Sequence, residues 1–271
     1  MLRELGALLR REFLRYVRTP VWIMSSLLVP ILYLVLFGQG FGSINELCLQ
    51  PGACLGAPNY FSFFSVGMVG FVALTMSLFS GANVIFDKGL GIIKRQVATP
   101  APRSSIFLSP LLFRSLMGLI PTFLVLGLAV LLAHVSGFVG LTISGSIGVV
   151  GALEVFTAVL VLSLMFNALF LAFGFAFESP QSYFGIVNLL NLPILFLSNA
   201  LYPPTTEPGW LRNIAAYNPV SMCVNVLREN LFSSARFYSY PAEIYLAGLL
   251  GWAALFIVIA LVLARRALRT P

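Results

Sequence analysis

The sequence is poor in charge. Asp, Glu, Lys and Arg make up 9% of its 271 residues and 59% are hydrophobic, whereas an ordinary soluble domain carries about 25% charged residues. Such a chain cannot cover a water-facing surface. It reads as an integral membrane protein, organised in spans rather than globular cores. Other absences narrow the chemistry. No G-x-x-x-x-G-K-[ST] loop is present, so ATP cannot be held in the P-loop manner. No H-E-x-x-H, G-x-S-x-G or metal-spaced His/Cys cluster appears. The three cysteines include no C-x-x-C pair, which excludes a zinc framework. Cys48 and Cys54 fall in one expected outside loop, where either a disulfide or two separate thiols fits. The sole histidine, His134, stands near a span end, as a polar anchor more readily than a catalyst.

What is present is a series of charge-free runs. A bilayer core about 30 Å thick needs about 20 apolar residues per helix. The gaps between charges predict six spans, at 20–38, 60–82, 107–133, 147–173, 182–202 and 243–264. The basic residues then set orientation. Arg3, Arg10, Arg11, Arg15 and Arg18 precede span one. Lys88, Lys94, Arg95, Arg103 and Arg114 lie between spans two and three or enter span three. Arg265, Arg266 and Arg269 follow span six. An even span count puts these 13 of the 16 Lys and Arg on one side, and the positive-inside rule makes that side, with both termini, cytoplasmic. The formal charge of +7 is read as topology and contact with anionic lipid, not nucleic-acid binding.

Leu2, Leu5, Leu9, Phe13 and Tyr16 recur at spacings of three and four, with Arg3, Glu4, Arg10, Arg11 and Arg15 on other faces. This predicts an amphipathic interfacial helix over 1–18, with a basic topogenic flank as the plainer reading. Leu90, Ile93 and Val97 form a second stripe, and a short basic helix from Asp87 to Ala98 should end before Thr99-Pro100-Ala101-Pro102. It suits lipid headgroups or a groove in a soluble partner equally. Glu154 falls one to two turns inside span four or at its interface. Asn167, Asn188 and Asn191 lie in spans, where amides serve as interhelical hydrogen-bond donors. Gly127, Gly151, Ala158 and Gly174 are small enough for close helix approach.

Between spans five and six the pattern breaks. Pro203, Pro204 and Pro208 should end span five. Trp210, Ile214 and Tyr217 make one stripe of a short helix. Asn218 suits an N-cap and Pro219 the first position of another helix, with Val220, Val224, Leu227 and Leu231 as its apolar face. The expected fold is an all-α membrane protein, one transmembrane domain over 1–271. It comprises the interfacial helix, a six-span bundle over 20–264 and a re-entrant helical hairpin over 203–240 on the outer side. A surface loop is the alternative for that hairpin.

Leu201-Tyr202-Pro203, Pro208-Gly209-Trp210-Leu211, Asn218-Pro219 and Arg228 resemble the signature of permease subunits of ABC-2 type ATP-binding-cassette exporters. The segment Asp87 to Pro110 resembles the same family's connection between spans two and three, where an acid-Arg-Glu start, a Gly and a Thr-Pro or Ala-Pro close are usual. Here Asp87-Lys88-Gly89 lacks the second acid. The form is closest to the daunorubicin and multidrug export permeases. The resemblance implies a non-enzymatic transport subunit in a prokaryotic plasma membrane, paired with a second permease copy, the same or related. It also implies a separate ATP-binding subunit that holds ATP and Mg, this chain binding no cofactor. Coupling to that ATPase would fall to Arg10, Arg11, Asp87, Lys88, Lys94 and Arg95. The hairpin Pro208, Trp210, Asn218, Pro219 and Arg228 would stand at the exit, and Glu154 with Asn167 would form a polar site in the membrane. Two alternatives stand beside this reading: an ion-coupled secondary transporter using Glu154, and a permease for polysaccharide or glycolipid export.

Overall fold

The computed structural model describes residues 2–18, 20–42, 57–99, 103–143, 147–203, 208–232 and 240–267. Cys48 and Cys54 lie outside them. The described residues form ten helices and no strand: α1 (Leu2–Val17), α2 (Pro20–Gly42), α3 (Tyr60–Gly89), α4 (Ile92–Val97), α5 (Arg103–Leu132), α6 (Val149–Ala176), α7 (Pro180–Phe196), α8 (Gly209–Tyr217), α9 (Pro219–Leu231) and α10 (Ala242–Ala267). Four of them, α3, α5, α6 and α10, are long and apolar enough to cross a membrane.

Local chemistry explains several boundaries. Asn59 caps α3 by accepting from the Ser62 amide at 2.7 Å, which satisfies a donor the helix cannot. Ser179 and Asn218 cap α7 and α9 in the same way, each followed by proline at the first position. α3 runs seven residues past the predicted span end. Its 30 residues span about 45 Å at 1.5 Å each, more than an apolar core of about 30 Å requires. The expected basic helix from Asp87 is accordingly split. Asp87 and Lys88 belong to the last turn of α3, and α4 begins only after Gly91, whose φ of 69° is left-handed. Glycine adopts that conformation without the Cβ clash that other residues meet.

α7 also differs from the predicted span 182–202. It stops at Phe196, three residues after Pro193. The Leu197 and Ser198 amides turn back to the Pro193 and Leu195 carbonyls, and the Ser198 hydroxyl donates to the Leu195 carbonyl at 2.5 Å. These bonds close the helix before Pro203 is reached.

α3 is the central element, buried along most of its length against α2, α5, α6, α7 and α9. Between helices in lipid there is little hydrophobic gain, so close backbone approach and hydrogen bonds decide the packing. At one end Val84, Ile106, Phe107, Ala172, Phe175, Ala260 and Ala264 join α3, α5, α6 and α10 in one cluster. α1 lies across this end, which we call the basic end. The α8–α9 hairpin lies at the other, the hairpin end.

Candidate functional site

Two polar clusters stand out, one at each end. At the basic end, Asp87 is 3% exposed. One guanidinium nitrogen of Arg15, Nη1, donates to both its carboxylate oxygens at 2.9 Å, and Arg11 approaches at 3.5 Å. Glu12, also buried, lies 3.7 Å from Arg11 and 3.3 Å from Arg114. Arg114, deep in α5, also donates to the Ser80 carbonyl of α3. α1 therefore docks through its charged face. Of the predicted apolar stripe, Phe13 and Tyr16 lean edge-on against Phe113 of α5, with centroids 6.5 and 6.0 Å away. Phe13 stays half exposed beside Leu14 and Val17.

Lys88 binds a different helix from Asp87. Its ammonium donates to the Phe175 carbonyl at 2.8 Å and the Phe177 carbonyl at 2.7 Å, at the end of α6. Those carbonyls lack intrahelical partners and carry the negative end of the helix dipole. On α4, Lys94 and Arg95 are exposed, while Ile93 and Val97 pack on the basic-end cluster. Arg10 is exposed on α1.

At the hairpin end, Arg228 is 1% exposed. It donates to the carbonyls of Asn199 at 3.0 Å, Phe63 at 3.1 Å and Ala200 at 3.3 Å. Its guanidinium carbon lies 3.6 Å from the centroid of the Phe63 ring. Asn199 donates to the Asn225 amide oxygen at 2.8 Å and its own amide N–H donates to the Ser221 hydroxyl at 3.0 Å. The Tyr60 hydroxyl donates to the Leu201 carbonyl at 3.0 Å, and Asn218 to the Ile194 carbonyl at 2.8 Å. The non-helical backbone after α7 is thus held by side chains of α3 and α9, which lipid requires of any irregular segment at its depth. Ser221, Asn225 and Arg228, expected to face away from the apolar side of α9, are all buried, so α9 buries its polar stripe as well as its apolar one, and Met222, Glu229 and Asn230 stay half-buried. α8 keeps an exposed stripe: Trp210 is 63% and Tyr217 73% exposed, with Ile214 between them. Pro208 is exposed ahead of α8, and Pro219 is half-buried at the start of α9.

Glu154 is the sixth residue of α6, half-buried, and accepts from the Asn230 side chain at 2.9 Å. Asn167 is buried 13 residues on and donates to the Ser163 carbonyl at 2.8 Å.

Both end clusters fall within residues 3–232, which match the ABC-2 type transporter family. The chain belongs to that family. It is 30% identical over 232 residues to a protein of Porphyra purpurea provisionally named transport permease ycf38, covering 84% of this chain and 74% of that one. It is 27% identical over 230 residues to the daunorubicin resistance ABC transporter permease protein DrrB1 of Streptomyces coeruleorubidus, covering 84% and 75%. As an ABC-2 type permease it is a multi-pass membrane protein. Both clusters join helices of this transport permease through the hydrogen bonds and ion pairs described above.

Of the residues expected to act together, Arg11 and Asp87 meet, Lys88 adjoins them, and Arg10, Lys94 and Arg95 stay exposed around them. Glu154 and Asn167 do not pair with each other in any described hydrogen bond. Sequence reasoning missed Glu12, Arg15, Arg114 and Asn199 as members of the clusters, and Asn230 as the partner of Glu154. Arg114 carried a signal, being a cation seven residues inside a predicted span, where a charge needs a partner.

Proposed function

We propose that this chain is the membrane subunit of an ATP-driven exporter, crossing a prokaryotic plasma membrane six times with both termini in the cytoplasm. α2 and α7 supply the two spans beyond the four long apolar helices. The basic end faces the cytoplasm and the hairpin dips into the outer leaflet, the exposed Trp210 and Tyr217 sitting at headgroup level as interfacial aromatics do. A second permease copy completes the path, and a separate ATP-binding subunit carrying ATP and Mg drives it. The cargo class is a drug, lipid or other amphipathic molecule.

The carrying observation is the construction of the basic end. α4 projects Lys94 and Arg95 from a locked assembly of α1, α3, α5 and α6. Arg10, Lys94 and Arg95 make the ATPase contact, and Arg11, Asp87 and Lys88 form the internal half of the same coupling region. Reversing both charges (K94E/R95E) is expected to leave the unfolding midpoint unchanged, since exposed substitutions usually shift stability within about 0.5 kcal/mol. ATP-driven export into inverted vesicles should fall by an order of magnitude or more. Unchanged export in the double variant would remove α4 from the coupling surface.

The ion-coupled reading assigns transport to Glu154. Glu154→Gln keeps an oxygen that accepts from Asn230 but loses the charge. ATP-driven export with the ion gradient collapsed should stay within twofold of wild type. Loss of transport in E154Q, together with dependence on the gradient, would favour the ion-coupled mechanism.

A further inference from the structure

The adjacent residues Asp87 and Lys88, at the end of α3, bind two different helices. Asp87 is bonded to Arg15 and approached by Arg11 of α1. Lys88 spans the last-turn carbonyl of α6, Phe175, and the carbonyl of its C-cap, Phe177. Two turns earlier the backbones of α3 and α6 already touch, because a Cβ on Gly174 would overlap the Gly81 carbonyl. The chain then passes through Gly89, Leu90 and the left-handed Gly91 into α4, which begins four residues after Lys88.

Along the chain, a push on α4 reaches this dipeptide through only Gly89, Leu90 and Gly91, beside the packing of Ile93 and Val97 on the basic-end cluster. We propose that Lys88 is a positioning residue that carries movement of α4 into α6, while Asp87 carries the same movement into α1. The proposal rests on the reading above, in which an ATPase acts on α4, and gives its mechanical route: not α3 alone but a three-helix unit. Lys88 suits the task chemically. A single ammonium has three donors, enough for both carbonyls at once, and the helix end it grips offers fixed negative dipoles. The two carbonyls flank the end of α6, so the grip fixes the terminus in two directions rather than one.

The test uses the full chain with the ATP-binding subunit that co-purifies from its native membranes, with native cysteines replaced. Spin labels are placed at the exposed Ala98, at the C-terminus of α4, and Ala176, the last residue of α6. Their distance is measured without nucleotide and after trapping with ATP and vanadate. In the otherwise wild-type protein the distance should be the same in both states, because the two helices move together. In Lys88→Met trapping should shift the distance or widen its distribution at least twofold, and Lys88→Arg should restore the wild-type result. Lys88→Gln, which keeps fewer donors, should give an intermediate result and serves if the Met variant does not fold. A purely structural role would lower the unfolding midpoint without making the α4–α6 distance depend on nucleotide. Identical behaviour of wild type and both Met and Gln variants under trapping overturns the joint while leaving ATPase coupling intact. Absence of any co-purifying ATPase overturns the coupling reading, and the joint falls with it.

Discussion

Replacing Arg228 by Met is expected to lower stability by about 2–6 kcal/mol, from two orphaned carbonyls at about 1–3 kcal/mol each. Arg228 donates to the carbonyls of Asn199 and Ala200, which belong to the segment where α7 has already ended. No intrahelical amide follows to replace the guanidinium, and at a site where Arg228 is 1% exposed little water can do so. Met is unbranched and fills irregular space well, so the loss reports the polar contacts more than a cavity. The Phe63 ring, 3.6 Å from the guanidinium carbon, adds a cation–π contact that Met also removes. Lys should recover only part of the loss, because a point-like ammonium cannot reproduce the planar fork that reaches three carbonyls. Unfolding midpoints in detergent measure the effect. A Met variant with the wild-type midpoint would show that the hairpin does not depend on Arg228.

The sequence made Arg228 visible as part of a pattern but hid what it does. Ser221, Asn225 and Arg228 are spaced by four and three, one polar stripe of α9. Such a stripe normally faces solvent or headgroups. Here it faces inward, because the chain after α7 leaves helical geometry and needs donors from elsewhere. Helical periodicity shows that the stripe exists, but the unsatisfied carbonyls it serves appear only once the break at Phe196 is known. The basic end has the same character. The positively charged residues of α1 were legible as a cluster, and their sign set the expected orientation. That Arg11 and Arg15 turn inward depends on the buried Asp87, which lies 72 residues beyond Arg15 in the chain. Apolar length located the four long helices well, because lipid thickness constrains it directly. It placed the end of α7 poorly, since bonds around Ser198 stop the helix inside an apolar run.

Small residues were legible only as candidates, and the structure separates them sharply. Gly127 has open space where a Cβ would stand, whereas a Cβ on Gly174 would overlap the Gly81 carbonyl. Gly81, which the sequence did not single out, is as tight: a Cβ there would overlap the Phe170 carbonyl oxygen and the Tyr183 hydroxyl. Gly81→Ala should therefore force α3 and α6 apart where their backbones touch. The movement also strains the hydrogen bond from the Tyr183 hydroxyl to the Leu78 carbonyl, now 2.5 Å, through which α7 holds α3. Overpacking a tight core costs about 1–3 kcal/mol and occasionally more. This contact belongs at the top of that range or above it, because the obstacle is backbone that cannot rotate away. Gly127→Ala should instead be neutral or stabilising by up to about 1 kcal/mol, since Ala is the better helix former. Midpoints of the two variants, measured side by side, isolate the packing effect from helix propensity. Equal midpoints would mean that α3 and α6 do not depend on close contact at Gly81. A selective loss in Gly81→Ala would place the rigid spine of the protein at the α3–α6 crossing, two turns before Lys88.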